Sequence, residues 1–307
     1  MTSTLSSLAT VSNELANAVE QASASVVTVD ARRRHPATGF VWSEDGLIVT
    51  ANHVVERDEE IEVGLPDGRR IAVTLVGRDP GSDIALLRAE ASGLTPLAHT
   101  PAEPRVGHLS LAIGRPGPSG PMASLGVISA VGGPMHFRGG SSLERYIRAD
   151  VAMLPGFSGG PLVDAAGDLI GLNSSTLGNA GQLTVPVSVI GNSVTTLLQH
   201  GRVRRGYLGI GAQSVHLPEA LINELGTRQH HGLLVVSVEG GGPAEAAGVI
   251  LGDILVAVDG QVVGHVEQLQ DLLSGDRVGK SVSVRIVRGG EPRDFTVTVG
   301  ERQPPAE

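Results

Sequence analysis

The sequence predicts a mainly β chain: two β units in series, followed by a smaller module that mixes strands with short helices. Three observations carry that prediction. Glycine supplies 42 of 307 residues, about twice its usual share, which favours many tight turns. Short β-branched and aliphatic runs, bounded by Gly, Pro and Asp, recur from Ser25 to Val185 at the spacing of a sandwich or barrel. One helical pattern, Ile190, Val194, Leu197 and Leu198, then closes the β region, and a composition change at R-V-R-R-G opens the next module.

In chain order, residues 1–22 are polar with Leu5, Leu8, Leu15 and Val19 on one helical stripe, which suits a docking helix and a frayed terminus equally. The strands Ser25–Val29, Gly39–Trp42 and Leu47–Thr50 follow, the last two joined by a hairpin turn through Glu44, Asp45 and Gly46. Ile61–Leu65, Ile71–Gly77 and Ile84–Leu87 complete a first β unit. Beyond residue 100, Leu109–Ile113, Ala123–Val131, Tyr146–Ala149, Pro161–Val163, Leu169–Leu172 and Leu183–Val185 read as a second. In the helix after it, Ser188 is the expected N-cap, and Gly201 stands where a left-handed terminating glycine belongs. From residue 205 to 301 the pattern changes to short helices at Pro218–Leu225 and Val266–Leu273 among strands at Leu233–Val238, Ile254–Val258, Val282–Val287 and Phe295–Val299. That module is of ordinary domain size and reads as a helix-capped β-barrel. The domain expectation is therefore an N-terminal segment 1–22, a β domain 23–204, a module 205–301 and a tail 302–307.

Bulk properties narrow the function. The net charge of −9 argues against a nucleic-acid surface, which needs concentrated Lys and Arg. Absence of cysteine excludes disulfides and thiolate metal sites, and no metal site is expected. No apolar run is long enough for a membrane span, and residues 1–30 lack the apolar core of a signal peptide. The expectation is a cytoplasmic protein if Met1 is the native start, and a periplasmic or envelope protein if an upstream segment has been removed.

The chemistry centres on P-G-F-S-G-G-P-L, Pro155–Leu162, where one serine sits among three glycines. A serine hydroxyl needs a base to become a nucleophile, and the oxyanion it generates needs converging backbone N–H donors. A Gly-rich turn between two strands would look the same in isolation. The candidate base is His53 in A-N-H-V-V, directly after a strand that can hold its imidazole. The candidate orienting carboxylate is Asp83 in G-R-D-P-G-S-D-I-A-L-L, with Asp79 as its rival; turn capping would account for either aspartate. The order His, Asp, Ser, with the first two on one β unit and the serine on the next, fits the serine-protease arrangement on two β-barrels. The stretch G-F-S-G-G also matches the nucleophile elbow of α/β-hydrolases, but that motif requires a helix after the serine and the acid and histidine later in the chain. Here Pro161 leads into a strand instead.

Taken together, V-W-S-E-D-G-L-I-V-T-A-N-H-V-V, G-S-D-I-A-L-L and P-G-F-S-G-G-P-L resemble the HtrA/Deg family of trypsin-like serine proteases. G-Y-L-G-I followed by G-G-G-P-A-E-A-A-G-V-I-L-G-D-I-L-V-A-V-D-G is similar to the PDZ domain that those proteases carry. The resemblance covers about residues 20 to 300. It implies a chymotrypsin-like double β-barrel and a PDZ domain, with His53 as general base, Asp83 as its orienter and Ser158 as nucleophile. The backbone N–H groups of Gly156 and Ser158 become the oxyanion donors. Tyr207, Leu208, Gly209 and Ile210 match the loop that receives a peptide C-terminus, with Leu269 and Leu273 as candidate pocket residues. Ala152, Met153, Asn173 and Ser174 fall in the walls of the substrate pocket, which carry no charge from Val151 to Met153 or from Asn173 to Leu183. An uncharged pocket predicts cleavage after small or medium apolar residues of unfolded or damaged polypeptides.

The resemblance further implies ATP-independent, cofactor-free catalysis and a homotrimer. Two positions depart from the family pattern: Phe157 and Leu154 stand where relatives usually have asparagine. The contrasting expectation is a conditionally active or silent chaperone or scaffold that binds peptide C-termini through its PDZ domain.

Overall fold

A computed structural model describes residues 2–33, 35–99, 103–136, 142–177, 182–203, 206–226, 229–273 and 277–301. The expected tail 302–307, the junction 204–205 and positions 178–181 of the expected pocket wall lie outside the described residues. The chain forms two compact units, Met1–Val203 and Arg204–Glu307.

The first unit opens with helix α1, Thr2–Ser23. Its C-terminal half docks: Ala18 and Ala22 are 3% and 0% exposed, and Leu15 and Val19 pack against the same core. The apolar stripe continues past the docked part, leaving Leu8 and Val11 exposed. Strands β1 (Val26–Asp30), β2 (Ala37–Val41), β3 (Leu47–Ala51), β4 (Ile61–Gly64), β5 (Arg70–Asp79) and β6 (Ile84–Ala89) close into a barrel in the order β1-β2-β3-β6-β5-β4. Closure pairs every strand on both sides, so no edge is left to recruit another chain. Residues of β2 and β3 are buried throughout, because one face fills the barrel and the other is covered by the rest of the unit.

The second barrel comprises β7 (Leu109–Gly114), β8 (Met122–Gly132), then, after a two-stranded ribbon of β9 (Met135–His136) and β10 (Ser142–Leu143), β11 (Tyr146–Ala149), β12 (Pro161–Val163), β13 (Leu169–Ser174) and β14 (Leu183–Pro186). Its order is β11-β14-β13-β12-β7-β8. Nothing in the sequence marked the ribbon, whose strands are two residues each. Ala112, Ile128, Ile147, Phe157 and Leu162 fill its interior. A larger cluster runs from the first barrel through Leu172 and Val185 to Ile190, Val194 and Leu197 of helix α2 (Val187–His200). That helix ends as expected at Gly201, whose φ is 69°. Its start differs: Pro186 occupies the N-cap in extended geometry without a side-chain cap, and Ser188 lies inside the first turn. Proline's locked φ sets the entry angle that a capping serine would otherwise have fixed.

In the second unit β15 (Gly206–Tyr207) pairs with β22 (Gly300–Glu301). The main sheet has the order β16 (Ile210–His216), β17 (His231–Val238), β18 (Ile254–Val258), β20 (Ser281–Arg288), β21 (Glu291–Thr298), with β19 (Gln261–Val262) on β18. Helices α3 (Glu219–Leu225), α4 (Pro243–Ala246) and α5 (Val266–Leu273) accompany it. The sequence signalled α3 and α5 but not the single turn of α4.

Candidate active site

His53 stands in the 3-10 turn Asn52–Val54 that leaves β3. Asp83 lies in the tight turn between β5 and β6, with φ at 56°, a left-handed value that costs a non-glycine residue some strain. The strained turn is used on both sides. Its carbonyl accepts the Asn52 N–H at 3.0 Å, and Asp83 Oδ1 accepts the His53 N–H at 2.9 Å. The backbone of the histidine is therefore fixed by the same residue that holds its ring.

His53 Nδ1 and Asp83 Oδ2 are 2.7 Å apart. With Nδ1–H donating to the carboxylate, Nε2 is left as an acceptor. Asp83 is only 3% exposed, and a buried carboxylate is costly unless donors surround it. Here Ser174 Oγ and, at 3.2 Å, Thr176 Oγ1 add to the two bonds from His53. Arg78 buttresses the histidine turn from behind, donating to the carbonyl of Val55 at 2.6 Å and to Asn52 Oδ1 at 3.2 Å.

Ser158 comes from the second barrel, in the loop before β12. It is 8% exposed, and its Oγ lies 2.8 Å from Ser175 Oγ, which in turn is 3.4 Å from His53 Nε2. Thr38 of β2 reaches across to this loop. Its hydroxyl takes the Arg115 N–H at 2.8 Å and donates to the carbonyl of Gly156 at 2.7 Å, and its N–H donates to the Ser158 carbonyl at 3.3 Å. The Phe157 N–H, in the same peptide group as the Gly156 carbonyl, donates to Leu154 O at 3.0 Å. That peptide is clamped at both ends. Among the described residues neither the Gly156 N–H nor the Ser158 N–H has a protein acceptor.

Gly159, at φ 83°, is required by close approach: a Cβ there would stand 2.3 Å from Thr38 O and from Thr50 Oγ1. Phe157, the departure from the family pattern, is fully buried in the second barrel. Its ring lies on Gly114, where a Cβ would be 2.3 Å from it. Glycine at 114 makes the space that phenylalanine at 157 fills.

The remaining expected residues are placed as follows. Asp79 is buried; it accepts the Gly81 N–H at 3.0 Å and the Ser193 hydroxyl at 2.9 Å, which makes it a turn residue that also pins α2. Ala152 is exposed and Met153 half-buried. Asn173 is buried, its Oδ1 taken by Thr184 at 2.9 Å. Ser174, expected in the pocket wall, is turned to Asp83 instead. The described wall residues carry no charge. In the second unit Leu208 is buried and Gly209 has φ 76°, and the carbonyls of Leu208 and Gly209 accept from Ala244 and Glu239, each at 2.8 Å. Among the described residues the N–H groups of Leu208 and Gly209 have no acceptor. Leu269 and Leu273 are both buried in the core with Leu208. No set of three metal-ligating side chains occurs among the described residues.

Sequence reasoning missed Thr38, Arg78, Ser175 and Thr176. The one available signal was S-S-T, three consecutive hydroxyl residues at the end of a buried strand.

Residues 37–172 match the trypsin-like peptidase domain family, and residues 206–299 match the PDZ domain family. The chain is 36% identical over 280 residues to a probable periplasmic serine endoprotease DegP-like of Halomonas elongata, across 88% of this chain and 57% of that protein. It is 34% identical over 282 residues to the protein of the same description in Hahella chejuensis, across 88% and 59%. The chain thus spans a little over half the length of these curated relatives. Among solved structures, an HtrA-type protease, AlgW with a tripeptide, superposes with a TM-score of 0.77 at 32% identity, covering 95% of this chain and 98% of that one. The serine endoprotease from Yersinia pestis gives 0.78 at 29% identity, covering 93% and 97%.

Proposed function

This chain belongs to the HtrA-type proteases, and on that premise we propose that it is an ATP-independent serine endopeptidase acting through His53, Asp83 and Ser158. The observation that carries the reading is the 2.7 Å contact between His53 Nδ1 and Asp83 Oδ2, made where Ser158 arrives from the other barrel. In the proposed reaction His53 Nε2 takes the Ser158 proton as Oγ attacks the peptide carbonyl. The N–H groups of Gly156 and Ser158 stabilise the resulting oxyanion. His53 then returns the proton to the leaving amine, and water releases the acyl group by the same steps in reverse roles. No metal or cofactor enters this scheme.

The uncharged wall around Ala152, Met153 and Asn173 supports cleavage after small or medium apolar residues of unfolded polypeptides. Peptide C-termini are the proposed ligands of the second unit. The free N–H groups at Leu208 and Gly209, beside Tyr207 and Ile210, support that assignment, because a carboxylate seeks convergent backbone donors. The working division is residues 23–204 for proteolysis and 205–301 for peptide capture. A homotrimer is the proposed assembly, supported by the open apolar face of Leu8 and Val11 of α1 beside Leu125. Light scattering that returned a monomer of 31.6 kDa would exclude it.

No helix among the described residues is long and apolar enough to cross a membrane. The relatives' description as periplasmic supports an envelope location over a cytoplasmic one, and fractionation of the source cells decides between them. The enzymatic reading itself is tested with a fluorophosphonate probe and with casein. Both the label and the digestion must disappear in Ser158→Ala. A chain that binds C-terminal peptides yet neither labels nor digests is the scaffold of the contrasting reading.

A further inference from the structure

We infer that Ser175 is a positioning residue of the reaction centre, whose hydroxyl keeps nucleophile and base apart until a polypeptide lies along the end of β13. The inference rests on the assignment of Ser158 as nucleophile and His53 as base. Its ground is a relay of two contacts: Ser158 Oγ to Ser175 Oγ at 2.8 Å, and Ser175 Oγ to His53 Nε2 at 3.4 Å. Among the described residues Ser158 Oγ makes no hydrogen bond to His53 itself.

Proton placement follows from the donor inventory. Nδ1–H is committed to Asp83, so Nε2 accepts, and the proton facing it from Ser175 is that residue's own. Ser175 Oγ then accepts from Ser158. The first contact is at the ordinary O–H···O distance and the second is long. The Ser158 proton therefore rests against a neutral hydroxyl oxygen, a far weaker base than imidazole, and the nucleophile is not activated.

The local backbone explains why this residue does so. β13 ends at Ser174 and the chain bends through Ser175 and Thr176, so that Ser174 and Thr176 both converge on Asp83 Oδ2. Ser175 is presented to the other side, where Ser158 stands. Ser174 is buried, whereas Ser175 and Thr176 are exposed, so the hydroxyl that intervenes sits where the strand emerges from the barrel. A substrate backbone alongside residue 175 offers that hydroxyl a new partner. One side-chain rotation then lets Ser158 bond directly to Nε2.

The full-length chain is tested with diisopropyl fluorophosphate, a reagent too small to lie along β13, which therefore meets the resting arrangement. Ser175→Ala is expected to label about tenfold faster, the equivalent of one neutral hydrogen bond, and Ser175→Thr, which keeps a hydroxyl, to stay within about twofold of the unsubstituted chain. With an extended peptide substrate, Ser175→Ala is expected to lower KM and leave kcat unchanged, because the bound complex has already displaced the hydroxyl. An unchanged or slower labelling rate in Ser175→Ala, with labelling abolished in Ser158→Ala, overturns the inference alone; slower labelling would make Ser175 a proton carrier instead. Labelling that persists in Ser158→Ala overturns the nucleophile assignment and the inference with it.

Discussion

The two barrels contribute to the site in opposite ways. The first supplies His53 and Asp83 from tight turns at strand ends, tied by four bonds around one carboxylate and braced by Arg78. The second supplies Ser158 from a glycine-rich loop held from its own barrel by Asn173 and from the first barrel by Thr38. The base and its carboxylate bond to each other within one barrel, with Ser174 and Thr176 of the other adding two of the four bonds, whereas the nucleophile loop takes its side-chain clamp from Thr38 across the divide. Damage to the first should therefore abolish chemistry without loosening the fold, and damage to the second should change loop geometry and stability together.

That contrast is broken most severely at Asp83. Asp83→Asn keeps the shape but favours the wrong imidazole tautomer, and kcat is expected to fall by about 10⁴ with the melting temperature little changed. A parallel collapse of the fold would show that the turn, and not the carboxylate's charge, is what matters. Next in size is Gly114→Val, which drives a side chain into the Phe157 ring. It should cost about 3 kcal/mol in denaturant unfolding, at the upper end for overpacking, and recover in part when combined with Phe157→Ala. Absence of that coupling would detach Phe157 from the loop. Thr38→Val leaves the Gly156 carbonyl and the Arg115 N–H without their partner, and kcat is expected to fall by about 10- to 100-fold. An unchanged kcat would mean that the second barrel shapes its loop unaided. Smallest is Leu8→Ser on the open face of α1, which should alter unfolding free energy of the unassembled chain by no more than about 0.5 kcal/mol. A larger loss would place that half of the helix in the core.

Most of the fold was legible because alternation, β-branching and Gly or Pro turns are local signals; the strand at Leu47–Ala51 differs from expectation by one residue. His53, Asp83 and Ser158 could be singled out for a similar reason: each sits in a short, distinctive context next to a strand. What escaped was whatever depends on two distant segments meeting. Thr38 and Gly156 are 118 residues apart, and a threonine in a strand announces nothing about the loop it will touch. Phe157 shows the converse. It departs from the family pattern, and only Gly114, on another strand, reveals the space its ring fills. The N-cap at Ser188 failed on a local competition, since Pro186 had already fixed the chain's direction two residues earlier.

Ser174 reaches Asp83 from the opposite barrel, and this has a bearing on how the chain is made. The strands of the first barrel are complete by Ala89, well before residue 174 in the chain. Without β13 and the bend after it, the carboxylate lacks both hydroxyl donors, Ser174 and Thr176, and the serine loop loses its anchor through Asn173 to Gly159 and Gly160. A chain that stops before β13 therefore holds His53, Asp83 and Ser158 without the strand that bridges them. His53, Asp83 and Ser158 are thus brought to one place only when both barrels are complete.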